Sequence, residues 1–447
     1  MCSPSTSGSA TTAVQPREVL PKTLTPTHYD LRLTPDLDKF VSDGVVAISV
    51  RVNETTDTIV LNAADIEIHS VQVVAADAAK TKTKTKLDIN VAANKDAIKY
   101  DTAVQTASIK LPIALEAGTE AKIVIAFQNI INDQMNGFYR GYYTDPDGVR
   151  KVIVSTQFEA TSARLALPCW DEPALKATFD VTLVVPAHLT ALSNMHSISE
   201  KILENSETKE VKFATTPVMS TYLLAFAVGE LEYIEAVADA GYGQNIVHRV
   251  YTTKGLKEQG RFALEVSVKA LAFFARCFGF DMAKIMSKMD HVALPEFEMG
   301  AMENWGLITY RSVRLLVDPK SSGTRSKMLV AEVVCHELAH QWFGNLTSPD
   351  WWMYLWLNEG FATWAASLAV DHVFPEWKIW DQFVTDDLGR ALQLDSLRSS
   401  HPIQVDVVRA ADISQIFDAI SYAKGCAVIR MLVAHLTLDK FLDGLKT

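Results

Sequence analysis

The chain has 447 residues, a length that predicts two or three domains rather than one. Hydrophobic residues make up 48% of it and charged residues 21%, so large apolar cores can form. The formal net charge is −11 and no block of Lys and Arg is present, which argues against binding nucleic acid through its phosphates. The five cysteines lack metal-type pair spacing, as expected for reduced thiols in a cytoplasmic protein.

The N-terminal segment, residues 1–16, is rich in Ser, Thr and Ala and is predicted to be disordered. It lacks the apolar core of a signal peptide. The chain contains no uninterrupted apolar run of about eighteen residues, so no membrane span is expected. We therefore predict a cytoplasmic protein; no sequence pattern indicates its oligomeric state.

Residues 17–229 are predicted to form a β domain, because short runs of alternating apolar and polar residues are separated by turn residues. Such spacing, without long helices between the strands, is typical of a β-sandwich or a saddle-shaped sheet. The clearest predicted strands are residues 29–33, 45–50, 58–61, 121–127 and 179–185. The alternating Lys and Thr of residues 80–86 predict the solvated end of a hairpin.

Residues 230–447 change to a mixed pattern, with a small predicted sheet followed mainly by helices. The strand predictions include residues 284–293 and 306–311. The helix predictions are residues 256–278, 325–344, 357–371, 379–394 and 423–437. This order is typical of a zinc-peptidase domain, so we expect an α+β multidomain protein: an N-terminal β-sandwich or saddle domain, then a thermolysin-like zinc-peptidase domain.

The predicted helix at 325–344 contains the strongest chemical motif of the chain. His336 and His340 are four residues apart, so both imidazoles lie on one helix face and can meet one zinc ion. Glu337 lies beside them, where a general base belongs. Glu359 follows His340 after eighteen intervening residues and is the candidate third ligand, which leaves one coordination position open. An HExxH string on a surface helix by chance is the alternative, but strongly apolar flanks favour a half-buried helix.

Further motifs resemble the gluzincin zinc aminopeptidases, especially the cytosolic puromycin-sensitive and fungal alanine/arginine types. Residues 298–306 contain the string GAMEN, residues 336–345 read HELAHQWFGN, and residues 356–364 read WLNEGFATW. Residues 156–161 and 168–173 are similar to the family's N-terminal signature, and residues 420–425 to the segment that carries its catalytic tyrosine.

The resemblance implies a zinc-dependent aminopeptidase with one Zn²⁺ per chain, bound by His336, His340 and Glu359. Glu337 would then take a proton from the zinc-activated water and return one to the leaving amine. Tyr422 would stabilise the oxyanion by a hydrogen bond. A core tyrosine at a helix start is the plain alternative for Tyr422.

The resemblance also implies peptide substrates with a free N-terminus. The substrate-binding set would be Gln157, Glu159, Gly300, Ala301, Met302, Glu303 and Asn304. Within it, Glu159 and Glu303 would bind the terminal ammonium, and an uncharged internal peptide would leave both carboxylates unpaired. Salt bridges within the fold are the alternative role for these two residues.

Family members of this type continue through a small β domain and a helical lid domain, and by comparison this chain is expected to be truncated and to lack both. The main alternative is therefore an inactive truncated fragment that binds zinc or peptide without turnover. A thermolysin-type endopeptidase and an epoxide hydrolase are further alternatives. The alanine of GAMEN, Ala301, and the presence of Glu159 argue against those two.

Overall fold

The computed structural model describes residues 17–76, 84–90, 97–204 and 207–446. The predicted disordered segment lies outside these residues, and so does most of the predicted hairpin end at 80–86. The strands of the N-terminal part are, in chain order, β1 (Leu24–Asp36), β2 (Val41–Val52), β3 (Thr56–Asn62), β4 (Ile66–Ala76), β5 (Lys84–Asn90), β6 (Ile98–Asp101), β7 (Thr106–Leu115), β8 (Glu120–Ile130), β9 (Gly137–Thr144), β10 (Arg150–Gln157), β11 (Thr178–Pro186), β12 (Thr190–Ser193), β13 (Ser197–Ile202), β14 (Thr208–Phe213) and β15 (Phe226–Gly229).

These strands form three sheets. The largest has eight strands in the order β13-β14-β11-β1-β2-β8-β4-β5, and β1 runs parallel to β11 but antiparallel to β2. The others have the orders β12-β15-β10-β9 and β3-β7-β6. Along β1, Tyr29, Leu31 and Leu33 are buried between more exposed neighbours, as the period of two predicts. The prediction of a strand-rich N-terminal domain is confirmed.

A separate five-stranded sheet follows, in the order β16-β17-β18-β20-β19. Its strands are β16 (Leu231–Asp239), β17 (Asn245–Thr253), β18 (Lys288–Leu294), β19 (Ala301–Met302) and β20 (Leu307–Arg311). The central strands β17, β18 and β20 are parallel, while β19 pairs with β20 antiparallel and lies at the edge. The predicted strand start at 284 is wrong, because Asp281 accepts a hydrogen bond from the backbone N–H of Ala283 and a short 3₁₀ turn precedes β18.

The remaining chain is largely helical. Its helices are α1 (Arg261–Phe278), α2 (Thr324–His340), α3 (Leu355–Val373), α4 (Ile379–Gln382), α5 (Gly389–Asp395), α6 (Gly425–Leu436) and α7 (Leu438–Leu445). A 3₁₀ turn occupies the predicted first turn of α1, and a π-helical turn, Val384–Leu388, interrupts the single helix that was predicted for 379–394. The predicted α+β class, with a small sheet followed by helices, is confirmed.

Helix α3 is buried on several sides, as a helix with few polar positions must be. It packs against α2 on one side and α6 on another. At the second contact, a Cβ atom built on Gly360 would lie 2.7 Å from the backbone carbonyl carbon of Gly425, so the two main chains touch directly. No helix in the described part of the chain has the length and hydropathy that a bilayer crossing requires.

Candidate active site

The contact between α2 and α3 brings three metal-type donors together. The Nε2 atoms of His336 and His340 are 3.0 Å apart, and Glu359 Oε2 lies 3.2 Å from the first and 3.4 Å from the second. Donors about 2.0–2.1 Å from a tetrahedral zinc ion lie about 3.3 Å from one another, so this spacing fits one zinc. Among the residues that the structure describes, this is the only such cluster of three His, Cys, Asp or Glu side chains.

Neighbouring groups orient the two imidazoles. The ring of His340 donates from Nδ1 to the backbone carbonyl of Phe343 at 2.9 Å. The hydroxyl of Thr363 lies 3.5 Å from Nδ1 of His336 and donates to the backbone carbonyl of Glu359 at 2.7 Å. Each Nε2 therefore faces the common centre, as metal-binding histidines require. Sequence reasoning missed Thr363, although its position four residues after Glu359 places it on the same helix face.

Opposite charges in this cluster shift the pKa values in opposite directions. Burial favours the neutral form of Glu359, but His340 and His336 outweigh it and lower the pKa of Glu359 to about 2. Burial alone would lower the pKa of His340, yet the carboxylates of Glu303 and Glu359 raise it well above its usual value. Burial lowers the pKa of His336. An ionised carboxylate beside two imidazoles is a donor set that suits a divalent cation.

Glu337 and Tyr422 lie next to the three donors. The Oε2 atom of Glu337 is buried without a hydrogen-bond partner in the described residues, and burial and the nearby Glu303 raise its pKa well above the usual value. Tyr422 lies in a π-helical turn, Ile420–Lys424, and its ring stacks on His336 with 6.0 Å between centroids. Burial and Glu359 raise the pKa of Tyr422, so its phenol keeps its proton and can donate a hydrogen bond.

A second group of carboxylates lies at the C-terminal end of α2. Glu303 follows β19, and its backbone carbonyl accepts hydrogen bonds from Gln341 at 3.1 Å and Asn345 at 2.9 Å. Glu159 follows β10. Its Oε1 and that of Glu303 are buried, and neither has a partner in the part of the chain that is described. Burial raises the pKa of both, and Glu303 raises that of Glu159 further. Two unpaired carboxylates at one place favour a cation between them.

The other predicted substrate-binding residues divide into two groups. Gln157, Gly300 and Ala301 line the same cavity as the carboxylates. Met302 and Asn304 do not line it, because their side chains contact other parts of the fold. The amide of Gln157 donates to the sulfur of Met302 at 3.4 Å, and that of Asn304 donates to the hydroxyl of Thr309 at 3.1 Å. Their side chains therefore support the cavity wall rather than form its surface.

The cavity has a volume of about 550 Å³ and contains the three metal-type donors, Glu337 and Tyr422. Beyond His336 it continues along α2 to a charged end that sequence reasoning missed. The charged residues of this end are Arg325, Glu332, Asp386, Asp387 and Arg390. The spacing of Glu332 four residues before His336 was the available signal, since it puts both side chains on one face.

A strand-rich domain followed by a mixed sheet and helices, with a His, His, Glu cluster between α2 and α3, defines the architecture of a metallopeptidase family. The chain belongs to peptidase family M1: the M1 N-terminal domain model matches residues 25–223, and the M1 peptidase domain model matches residues 262–447. The predicted family resemblance is therefore confirmed.

Three curated relatives are similar over nearly the whole chain. Puromycin-sensitive aminopeptidase from Caenorhabditis elegans is 45% identical over 96% of this chain and 43% of its own length. Alanine/arginine aminopeptidase from Saccharomyces cerevisiae is 46% identical over 96% of this chain and 47% of its own length. Aminopeptidase 2, mitochondrial, from the same yeast is 45% identical over 96% of this chain and 43% of its own length. The chain thus spans about half the length of the curated relatives it matches.

Proposed function

We propose that this chain is a zinc-dependent aminopeptidase that removes the N-terminal residue from peptides with a free amine. One observation carries the proposal: a donor set spaced for zinc lines a single cavity with Glu159 and Glu303, each of which has a buried oxygen without a hydrogen-bond partner among the described residues. The names of the relatives support the same activity. Because the chain spans about half of their length, turnover by this chain alone is part of the proposal.

Substrate binding would use charge at one point and backbone geometry at another. The carboxylates of Glu159 and Glu303 bind the terminal ammonium, and the amide of Gln157 lies beside them. An internal peptide bond brings no charge, so it would leave both carboxylates unpaired and is disfavoured. Strand β19 lies at the edge of its sheet, and the backbone at Gly300 and Ala301 can pair with an extended peptide as an added strand.

The proposed chemistry assigns one role to each remaining residue. His336, His340 and Glu359 would hold the zinc, which when bound would supply a Lewis acid and a water of lowered pKa. Glu337 accepts a proton at Oε2, which has no hydrogen-bond partner among the described residues, and returns it to the leaving amine. The phenol of Tyr422 donates a hydrogen bond to the carbonyl oxygen as negative charge develops there.

The division of the chain is proposed as 17–229 for the N-terminal β domain and 230–447 for the catalytic domain. The strands of the first three sheets end with β15 at Gly229, and the five-stranded sheet begins with β16 at Leu231, which supports this boundary. A cytoplasmic location is also a proposal, and one of the three relatives is named as mitochondrial.

An inactive fragment that binds zinc or peptide is the second candidate, because the chain spans only 43–47% of its relatives. Hydrolysis of alanyl and arginyl chromogenic amides by the purified chain separates the two candidates. We expect chelator-sensitive turnover with one zinc per chain. Glu337→Gln should lower kcat by about 10²–10⁴-fold with zinc content unchanged, since it removes the proton acceptor but no ligand.

Acetylation of the substrate amine tests the ammonium site in the same assay. We expect the acetylated substrate to be resistant, and its cleavage at the free-amine rate would contradict an aminopeptidase. Bound zinc without turnover of any free-amine substrate would favour the inactive fragment.

A further inference from the structure

The charged end of the cavity lies on the far side of the metal-type donors from the ammonium site. The backbone carbonyl of Glu303 is bonded to Gln341, just after α2, whereas Glu332 is nine residues earlier on that helix. At 1.5 Å per residue, the separation along the axis is about 13 Å. His336 lies between the two ends. A peptide whose ammonium is at Glu303 and whose first peptide bond is at His336 must therefore extend toward Glu332.

The distance suits the side chain of the second residue. An extended peptide advances about 3.3 Å per residue, so two residues cover about half of the separation. A long Lys or Arg side chain, with its charge at the end of a flexible stem, can span the remainder. Shorter side chains end before the charged region.

Charge pairing at this end leaves Glu332 without an ion-pair partner in the described part of the chain. Arg325 forms an ion pair with Asp386 at 3.0 Å, and Arg390 lies 3.9 Å from Asp387. In the described residues, the carboxylate of Glu332 makes no hydrogen bond or ion pair. The wall thus holds three carboxylates against two guanidinium groups, both of which are already engaged.

The environment of Glu332 disfavours the charge of its carboxylate. Burial raises the pKa of Glu332 to about 7, with Asp387 and Asp386 acting in the same direction and Arg325 and Arg314 opposing them. A cation that reaches this carboxylate would stabilise its ionised form. An acidic side chain would instead add negative charge to an acidic wall.

We propose that Glu332 is a specificity-determining residue that selects peptides with Lys or Arg at the second position. The proposal rests on the proposed aminopeptidase function, because the ammonium site and the metal-type donors set the direction of the peptide. It adds a preference at the second residue, on the other side of the cleaved bond from the removed residue.

The experiment compares Ala-Arg with Ala-Leu as substrates of the wild-type chain, of Glu332→Gln and of Glu265→Gln. Glu265 is exposed on α1 and does not line the cavity, so the last variant controls for the substitution itself. We expect the wild-type kcat/KM ratio of Ala-Arg to Ala-Leu to be about tenfold, which corresponds to about 1.4 kcal/mol. Glu332→Gln should bring the ratio close to one, and Glu265→Gln should keep it.

In the wild type the ratio should also rise between pH 6 and pH 8, as Glu332, with a pKa of about 7, loses its proton.

Two results would overturn the inference: a wild-type ratio near one, or an unchanged ratio in Glu332→Gln.

Binding of the same dipeptides with a reduced, uncleavable linkage gives a readout that does not need turnover. If the wild-type chain cleaves nothing but binds the arginyl analogue about tenfold more tightly than the leucyl one, and Glu332→Gln removes this difference, the proposed function fails and the role of Glu332 stands. If cleavage occurs, and Glu332→Gln changes neither the kcat/KM ratio of the dipeptides nor the affinity ratio of their analogues, the proposed function stands and the role of Glu332 is wrong.

Discussion

Two regions of the molecule bury carboxylates in opposite ways. In the N-terminal domain, Arg164 and Asp171 are 4% and 2% exposed, and their Nε and Oδ2 atoms are 2.9 Å apart. The second oxygen of Asp171 accepts a hydrogen bond from the hydroxyl of Thr221 at 2.7 Å. In the cavity, Glu159 and Glu303 each keep a buried oxygen that has no hydrogen-bond partner among the described residues.

The difference distinguishes Asp171, whose charge is compensated within the fold, from Glu159 and Glu303, for which we propose a role in substrate binding. A buried carboxylate costs several kcal/mol unless a cation and hydrogen bonds compensate it. Asp171 receives that compensation from the fold itself. Burial instead raises the pKa of Glu159 and Glu303, and on the proposed function the compensating cation is the amine of the substrate.

The largest effect is expected from breaking the structural pair. Asp171→Ala leaves the Arg164 guanidinium buried and uncompensated, and we expect the free energy of unfolding to fall by about 3–5 kcal/mol. Urea denaturation of the wild type and of Asp171→Ala measures this difference in the free energy of unfolding. Glu258→Ala is the matched control, because the Arg261–Glu258 pair has both side chains more than half exposed, and its loss should leave the unfolding midpoint unchanged. Equal shifts in the two variants would remove the distinction between buried and exposed pairs.

Glu303→Gln tests the functional side of the comparison. Loss of one charge-assisted contact to the substrate ammonium should lower kcat/KM for alanyl amides by about 10–100-fold. The free energy of unfolding should stay equal or increase, because burial raises the pKa of Glu303 and a neutral amide avoids that cost. Destabilisation as large as that of Asp171→Ala would mean that Glu303 belongs with the structural charges.

Gly360→Ala addresses geometry rather than charge and should have the smallest effect of the three. Its methyl group would lie 2.7 Å from the backbone of Gly425 and force α3 and α6 apart, and Tyr422 precedes α6 directly. We expect destabilisation of about 1–3 kcal/mol and a roughly tenfold lower kcat, with zinc still bound. The control is Gly389→Ala, where the nearest atom to the new methyl is 3.8 Å away, and its kcat should match the wild type.

Local patterns in the sequence predict the parts of the site that depend on short spacing. The i, i+4 relation of His336 and His340 follows from helix geometry alone, and the alternation in strands such as β1 follows from the pleat. The boundaries that were wrong depend on interactions that periodicity does not record. The turn before β18 requires a hydrogen bond from Asp281, and the interruption between α4 and α5 is a change of helix type.

The other parts of the site depend on packing between residues far apart in the sequence, and a single sequence does not record such packing. The meeting of Glu159 with Glu303 joins β10 to the edge of a different sheet, and only the motif resemblance suggested it. Glu332 belongs to no motif, because the pattern of its helix is dominated by apolar residues and by His336 and His340. The motif at 168–173 was visible, but the ion pair of Asp171 with Arg164 was not.

The edge position of β19 has a consequence for repeated cleavage. On the proposed function, the groove recognises a free amine and an extended backbone, and neither feature depends on the side chain that has been removed. Each shortened peptide presents the same two features one residue further along, so it can bind in the same groove again. Degradation would then proceed stepwise from the N-terminus, and a proline, which has no backbone N–H to pair with the edge strand, would be a natural stopping point.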